Sequence, residues 1–96
     1  MRPAIYILTN WSNRVLYVGV TANLAARHWI HTQGLNPGSF TARYRTTKLV
    51  YYEAHPSMEA AIIREKQLKS GSRSAKIGLI ERVNPAWRDL AGDLYE

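Results

Sequence analysis

Short apolar runs alternate with turn-forming residues along this chain, and the pattern predicts the elements of its fold. Ala4–Thr9 and Val15–Val20 are rich in β-branched and aromatic residues. The polar sequence between them contains Asn, Ser and Arg, so the two runs are predicted to form a β-hairpin. Lys48–Ala54 has the same character and predicts a third strand.

Alternation along the hairpin predicts which side chains share a face. Ile5 and Ile7 point to one side of the first strand, so Tyr6 points to the other. If Ile7 lies opposite Leu16, the same register sets Tyr6 directly opposite Tyr17. The hairpin is therefore expected to carry two adjacent tyrosines on one face.

Capping residues and helix breakers predict three helices. They are expected at Leu24–Gln33, ended by Gly34; from the cap Ser57 to about Ser70, ended by Gly71; and from Ser74 to a point before Pro85. Residues 34–47 show no clear period and are interpreted as a basic loop. The order is β-β-α-β-α-α, which predicts an α+β fold with a three-stranded antiparallel sheet flanked by helices. A length of 96 residues fits one domain over residues 1–96.

The charge of the chain is unevenly distributed. The net charge is +6, and the first acidic residue is Glu53. Residues 1–52 account for the whole excess, through Arg2, Arg14, Arg27, Arg43, Arg45 and Lys48. Such an electropositive half predicts attraction to a polyanion, and nucleic acid is the commonest such partner. The alternative is a charge that serves solubility alone.

Several classes of protein are disfavoured by composition. The chain has no cysteine, which excludes disulfides and thiolate metal sites and suits a reducing cytoplasm. Its apolar runs fall far short of the ~18 residues that span a bilayer. Nucleases with two metal ions need several carboxylates, but residues 1–52 have none. A cytoplasmic protein with no membrane association is expected.

Glu65 interrupts the apolar side of its predicted helix. On a helical wheel it falls in the middle of the stripe formed by Met58, Ala61, Ile62 and Leu68. A carboxylate in that position is costly unless a cation receives it. Either Glu65 serves a chemical purpose, or it forms an ion pair with Lys69 one turn later.

Arg27 has a similar position on the first helix. It lies between Leu24 and Ile30 on the wheel, with His31 one turn further on the same side. The alternatives are that the long arginine side chain extends to water and that the histidine has a structural hydrogen bond. Zinc binding by His28 and His31 is disfavoured because no cysteine or nearby carboxylate completes a site. The convergence of an arginine, a histidine, a glutamate and a tyrosine pair within a basic domain points to phosphodiester chemistry.

These residues together resemble the GIY-YIG nuclease domain, and in particular its small bacterial single-domain members. Ala4-Ile5-Tyr6 stands for Gly-Ile-Tyr and Tyr17-Val18-Gly19 for Tyr-Ile-Gly. The positions of Arg27, His31 and Glu65 match further family residues, and the resemblance extends through residues 84–90. Val20 stands where relatives in DNA repair have lysine, and Asn84 is the candidate for a late asparagine of the family.

The resemblance implies a metal-dependent endonuclease with one divalent ion, Mg²⁺ or Mn²⁺. Glu65 would hold the ion, since Mg²⁺ binds through one or two carboxylates and keeps several waters. Arg27 would neutralise charge on the phosphate. Tyr17, assisted by Tyr6 and His31, would take the proton of the attacking water.

Nucleic-acid contacts are expected at four basic residues: Arg43, Arg45, Lys48 and Lys69. DNA is the expected substrate in preference to RNA, with weak sequence specificity guided by nucleic-acid structure. The competing interpretation is a binding module that keeps the fold and the basic face but does not cleave.

Overall fold

The strands of the computed structural model form one antiparallel sheet. The structure describes residues 2–33 and 44–94, with the backbone alone for residues 31–33. The strands are β1 (Ala4–Thr9), β2 (Leu16–Thr21) and β3 (Lys48–Ala54), in the order β2-β1-β3. The predicted bounds of β1 and β3 are confirmed, whereas β2 begins and ends one residue later than predicted.

The predicted register of the hairpin is wrong by two residues. Ile7 lies opposite Val18 instead of Leu16, because the loop after β1 is longer than the prediction assumed. Asn10 holds this loop, since its Oδ1 accepts the backbone N–H groups of Arg14 at 2.9 Å and Val15 at 3.2 Å. A shift of two residues leaves every side chain on its predicted face.

The helices follow their predicted order. They are α1 (Leu24–Gln33), α2 (Met58–Ser70) and α3 (Arg73–Val83), followed by a short 3₁₀ helix at Leu90–Leu94. Ser57 caps α2 as predicted, with its Oγ accepting the Ala60 N–H at 3.1 Å. The predicted start of α3 at Ser74 is wrong, because Ser72 caps this helix and accepts the Ala75 N–H at 3.0 Å. The α+β fold with the order β-β-α-β-α-α is confirmed.

The sheet separates two apolar clusters. Side chains of β1 enter both, because β1 is the central strand and all six of its residues are buried. One cluster joins the sheet to α2 and α3 and contains Ile5, Ile7, Val18, Val50, Tyr51, Ala61, Leu68 and Ile80. The other contains Ala4, Tyr6, Leu8, Leu24 and Leu49, with α1 and the 3₁₀ helix packed against it. Tyr6 therefore lies on the face that α1 covers.

The outer edge of β3 is bonded to the C-terminal segment. Asp89 accepts the Leu49 N–H through Oδ1 at 3.2 Å, and the Asn84 side-chain amide donates to the Val50 carbonyl at 3.1 Å. These two side chains take the place that a further strand would occupy. None of the helices within the described residues is both long and apolar enough to cross a membrane.

Candidate active site

Tyr6 and Tyr17 meet on one face of the hairpin, as their predicted faces require. Their ring centroids are 6.3 Å apart and the rings are tilted by 43°. The contact is diagonal, because Tyr6 lies opposite Gly19 and Tyr17 lies opposite Leu8. The predicted direct opposition of the two tyrosines is therefore wrong, but their proximity is confirmed.

Gly19 provides the space that the Tyr6 ring occupies. A Cβ at this position would collide with the Cζ and hydroxyl oxygen of Tyr6. Tyr6 is only 2% exposed, whereas Tyr17 is half-buried. The hairpin thus fixes one phenol inside the protein and leaves the other accessible at its edge.

The surroundings of Tyr6 hold its hydroxyl in the protonated form. Burial raises the pKa of Tyr6 most strongly, and the neighbouring Tyr17 raises it further through its charge and through a side-chain hydrogen bond. Hydrogen bonding that raises the pKa of a phenol stabilises its protonated form. The buried phenol of Tyr6 therefore stays protonated beside Tyr17.

Arg27 and Glu65 both act on this tyrosine. The positive charge of Arg27 lowers the pKa of Tyr6 and the negative charge of Glu65 raises it, although both effects are smaller than that of burial. Helices α1 and α2 therefore bring a guanidinium and a carboxylate within electrostatic range of the Tyr6 phenol on β1. This proximity is what the convergence of these residues in the sequence predicted.

Arg27 does not lie on the buried side of α1, as its place between two apolar residues had suggested. Its side chain is exposed, whereas His28 is a buried polar residue of this helix, with its Nε2 3.2 Å from the Thr47 carbonyl oxygen. His28 follows Leu24 by four residues, the spacing that would have identified it. The predicted assisting role of His31 falls on a side chain outside the described residues.

Glu65 forms the ion pair with Lys69 that was one of the two alternatives left open by its sequence position, and its chemical role stays a prediction. Its side chain is only 15% exposed, and its Oε1 lies 3.7 Å from the Lys69 Nζ. The predicted apolar stripe is only half correct: Ala61 and Leu68 are buried, but Met58 and Ile62 are exposed. The carboxylate therefore sits at the rim of the helix interface, where one loose ion pair leaves it able to accept other ligands.

The residues present fit a hydrated divalent ion. Within the described residues, no group of three or more His, Asp or Glu side chains could enclose a metal. A single carboxylate suits Mg²⁺, which keeps several of its waters when bound and takes substrate phosphate as a further ligand. Glu65 is the carboxylate that acts on Tyr6 and could supply that ligand.

Asn84 has a structural position. It is buried at the end of α3, where its Nδ2 donates to the carbonyls of Val50 and Arg88 and its Oδ1 accepts the Arg88 N–H at 2.9 Å. Both hydrogens of the amide and its oxygen are thus engaged within the fold. This asparagine anchors the turn after α3 to β3.

The basic residues predicted to contact nucleic acid have different environments. Arg45 is exposed in a turn with φ of 54°, and Arg43 lies outside the described residues. Lys69 is exposed beside Glu65. Lys48 is only 5% exposed, and its ammonium lies 5.2 Å from the centroid of the Trp11 ring. Of the described residues in this set, Arg45 and Lys69 are therefore exposed to a phosphate, whereas Lys48 is covered.

A second polar cluster was not anticipated from the sequence. Glu53 on β3 receives the Arg64 guanidinium in two hydrogen bonds of 3.0 Å, and it also accepts from Tyr51 and contacts the ring of His55 at 3.1 Å. Burial alone would raise the pKa of Glu53, but the hydrogen bonds from Arg64, Tyr51 and His55 lower it overall. Burial and the bond to Glu53 raise the pKa of Tyr51 to about 12. The cluster ties β3 to α2.

Comparison with known proteins finds one matching family and several relatives. The family model of the GIY-YIG catalytic domain matches residues 2–78. A UPF0213 protein of Syntrophus aciditrophicus is 37% identical over 81 residues, which cover 84% of this chain and 91% of the relative. A UPF0213 protein of Staphylococcus haemolyticus is 36% identical over 77 residues, covering 80% and 92%. The solution NMR structure of a UPF0213 protein from Bacillus halodurans is similar, with a TM-score of 0.58, 27% identity and 93% of each chain covered.

Proposed function

The chain belongs to the GIY-YIG family, and from this premise we propose that it is a metal-dependent endonuclease that cleaves phosphodiester bonds of nucleic acid. The observation that carries the proposal is the meeting of Tyr6 and Tyr17 within reach of the charges of Arg27 and Glu65. Family membership alone indicates a nuclease fold. The surviving polar set is what favours catalysis over binding without cleavage.

In this proposal the two tyrosines have different roles in proton transfer. Tyr6 keeps its proton, because burial raises its pKa, and donates a hydrogen bond that positions the hydroxyl of Tyr17. Tyr17 is the more accessible phenol and, as the phenolate, takes the proton from the attacking water. Proton transfer to a positioned side chain typically contributes about 10²–10⁴ to the rate.

Arg27 and Glu65 act on the phosphate. The exposed guanidinium of Arg27 can pair with phosphate oxygens and stabilise the charge that develops on them. Glu65 would hold a divalent ion, Mg²⁺ or Mn²⁺, which when bound supplies Lewis-acid stabilisation of the leaving oxygen. His31 remains part of the proposal as a group that assists Tyr17.

The proposed substrate is nucleic acid, and DNA in preference to RNA. The half of the chain before Glu53 carries the whole net charge of +6, which supports attraction to phosphates. Arg43, Arg45, Lys48 and Lys69 are the proposed phosphate contacts. We place the activity in the cytoplasm, with specificity for nucleic-acid structure and weak preference for sequence.

A cleavage assay with a matched inactive variant tests the proposal. The purified protein is incubated with single-stranded, duplex and branched DNA and with RNA, each in Mg²⁺, Mn²⁺ or EDTA. We expect cleavage in the presence of metal that disappears in EDTA and in the Tyr17→Phe variant. Binding without cleavage under every metal condition would favour the binding module instead, and absence of binding would refute a nucleic-acid function altogether.

A further inference from the structure

Trp11 is the most exposed large apolar side chain of the described residues. It lies in the loop between β1 and β2 with 70% of its surface in solvent. Burial of the indole ring would release about 25 cal/mol per Å² of apolar surface. This stabilisation is not gained while the ring stays in water. The position is therefore one where a ligand that covers the ring would gain affinity.

The loop that carries Trp11 is held in place by hydrogen bonds. The Asn10 carbonyl accepts the Asn13 N–H at 2.9 Å, and the side chain of Asn10 binds two further N–H groups of the loop. From the other side, Arg73 on α3 donates to the Asn13 carbonyl at 3.2 Å. A ring presented by a fixed loop loses little conformational entropy when a ligand stacks on it.

A cation lies beside the ring of Trp11. The Lys48 ammonium is 5.2 Å from the ring centroid, while Lys48 itself is covered and Trp11 stays exposed. Lys48 is opposite Thr9 in the sheet, so both sit at the end from which the loop extends. The Asp89 carboxylate also lies near this end of β3, but its Oδ1 already accepts hydrogen bonds from the N–H groups of Leu49 and Ala91.

Further cations surround the same end of the sheet. Arg14 in the loop and Arg45 before β3 are both exposed. A flat aromatic ring among positive charges is the combination that binds single-stranded nucleic acid, since bases stack on the ring while cations attract the backbone. A protein or lipid partner would need a broader apolar surface than one indole.

We propose that Trp11 is a stacking platform for an unpaired base of the nucleic-acid substrate, supported by Lys48. This inference rests on the proposed nuclease function and deepens it by naming the substrate class, which is nucleic acid with an unpaired nucleotide beside the cleavage point. Tyr17 lies opposite Leu8, and the loop begins two residues after Leu8, at Asn10. Because consecutive strand residues advance about 3.3 Å, the loop begins within about 7 Å of the Tyr17–Leu8 pair along the strand. The stacked base would therefore be close to the scissile phosphate.

Binding measurements in EDTA separate stacking from attraction to phosphate. The probe is a short fluorescein-labelled DNA strand, compared with the same strand built of abasic nucleotides, which keeps the phosphates and removes the bases. Fluorescence anisotropy gives the dissociation constant of each for the wild type and for Trp11→Ala. Trp11→Phe retains an aromatic ring, and Val83→Ala on α3 is a control for loss of an equally exposed apolar side chain.

Trp11→Ala is expected to weaken binding of the normal strand by roughly five- to hundred-fold, in keeping with the contribution of one stacked base. The abasic strand should bind equally to both proteins, Trp11→Phe should retain most of the affinity, and Val83→Ala should change nothing. The salt dependence should be the same in all variants, because no phosphate contact is lost.

Two results would overturn the inference: unchanged affinity of Trp11→Ala for the normal strand, or an equal loss on the abasic strand. If the wild type cleaves nucleic acid while either result is obtained, the platform alone is refuted. If the wild type neither binds nor cleaves any strand, the proposed function fails first. Thermal unfolding of Trp11→Ala should match the wild type, which excludes loss of the fold as the cause.

Discussion

The ring of Tyr6 lies against Gly19, the residue opposite it on β2, in space that any side chain at Gly19 would fill. The glycine therefore does more than permit a turn or a bend. It allows the buried phenol to reach across the edge strand toward Tyr17, so the geometry of the tyrosine pair depends on a missing Cβ.

Gly19→Ala is expected to damage both stability and cleavage. The added methyl would force the Tyr6 ring out of place, and overpacking of this kind costs typically 1–3 kcal/mol. Gly78→Ala is the matched control, because a Cβ at Gly78 in α3 meets nothing within 4 Å. That variant should be more stable by about 0.5–1 kcal/mol and fully active. Chemical denaturation and cleavage rates distinguish the two, and a stable, active Gly19→Ala would contradict the role of the contact.

Tyr17→Phe should separate cleavage from binding. The variant loses one hydroxyl, so affinity for nucleic acid should hold while the cleavage rate falls about 10²–10⁴-fold. The cleavage rate of Tyr6→Phe should fall less, since this substitution removes only the hydrogen bond that positions Tyr17. The raised pKa of Tyr6 keeps this phenol protonated, so Tyr6 should not replace Tyr17 as the proton acceptor. Full activity of Tyr17→Phe would refute the proposed proton acceptor.

Glu65→Gln should abolish cleavage and Mn²⁺ binding, which water-proton relaxation measures directly. The fold should survive, because the ion pair with Lys69 contributes only about 0.3–0.5 kcal/mol. Lys69→Ala is the control: it breaks the same ion pair but leaves the carboxylate, so Mn²⁺ binding should persist. Retention of Mn²⁺ binding in Glu65→Gln would refute this carboxylate as the metal ligand.

Glu53 is expected to make stability depend on pH. Its pKa is lowered in the folded protein, so the stabilisation is present above the unfolded value of about 4.3 and is lost as pH falls through the folded-state pKa. Glu53→Gln should cost roughly 1–3 kcal/mol at neutral pH and flatten the decline of the melting temperature between about pH 5 and about pH 3. Glu59→Gln, at an exposed carboxylate on α2, should leave that decline intact. An unchanged decline in Glu53→Gln would place its cause elsewhere.

Salt dependence should identify the residues that contact phosphate. Arg43→Ala and Arg45→Ala should each reduce the slope of log affinity against log salt by about 0.9 on duplex DNA. Lys48→Ala should reduce it less, because this side chain is covered and lies against Trp11. Arg88→Ala is the control, an exposed cation from the half of the chain in which charges balance. Equal slopes for all four variants would contradict a basic face in residues 1–52.

Local pattern predicted the elements well because their signals are local. The bounds of β1, β3 and α1 follow from residue type, and Ser57 and Gly71 mark the ends of α2. The hairpin register failed because it depends on how Asn10 folds the loop, which apolar alternation along the strands does not report.

The site could be predicted only through the joint spacing of its residues. Arg27 occupies an apolar position on the wheel yet is exposed, because the short helix α1 buries His28 instead. The Glu53 cluster was not predicted, because its partner Arg64 reaches Glu53 only when α2 packs on β3, although Tyr51 and His55 each lie two residues from Glu53 in the chain. Tertiary contacts of this kind are beyond the reach of periodicity.

The hydrogen bonds at the outer edge of β3 also bear on how the protein behaves at high concentration. Exposed strand edges offer unpaired peptide groups that recruit strands from other molecules, which is a common route to aggregation. Asp89 and Asn84 occupy the N–H of Leu49 and the carbonyl of Val50. The C-terminal segment thereby protects this edge from intermolecular strand pairing. Shortening the chain after α3 would expose the edge of β3 to pairing with strands of other molecules.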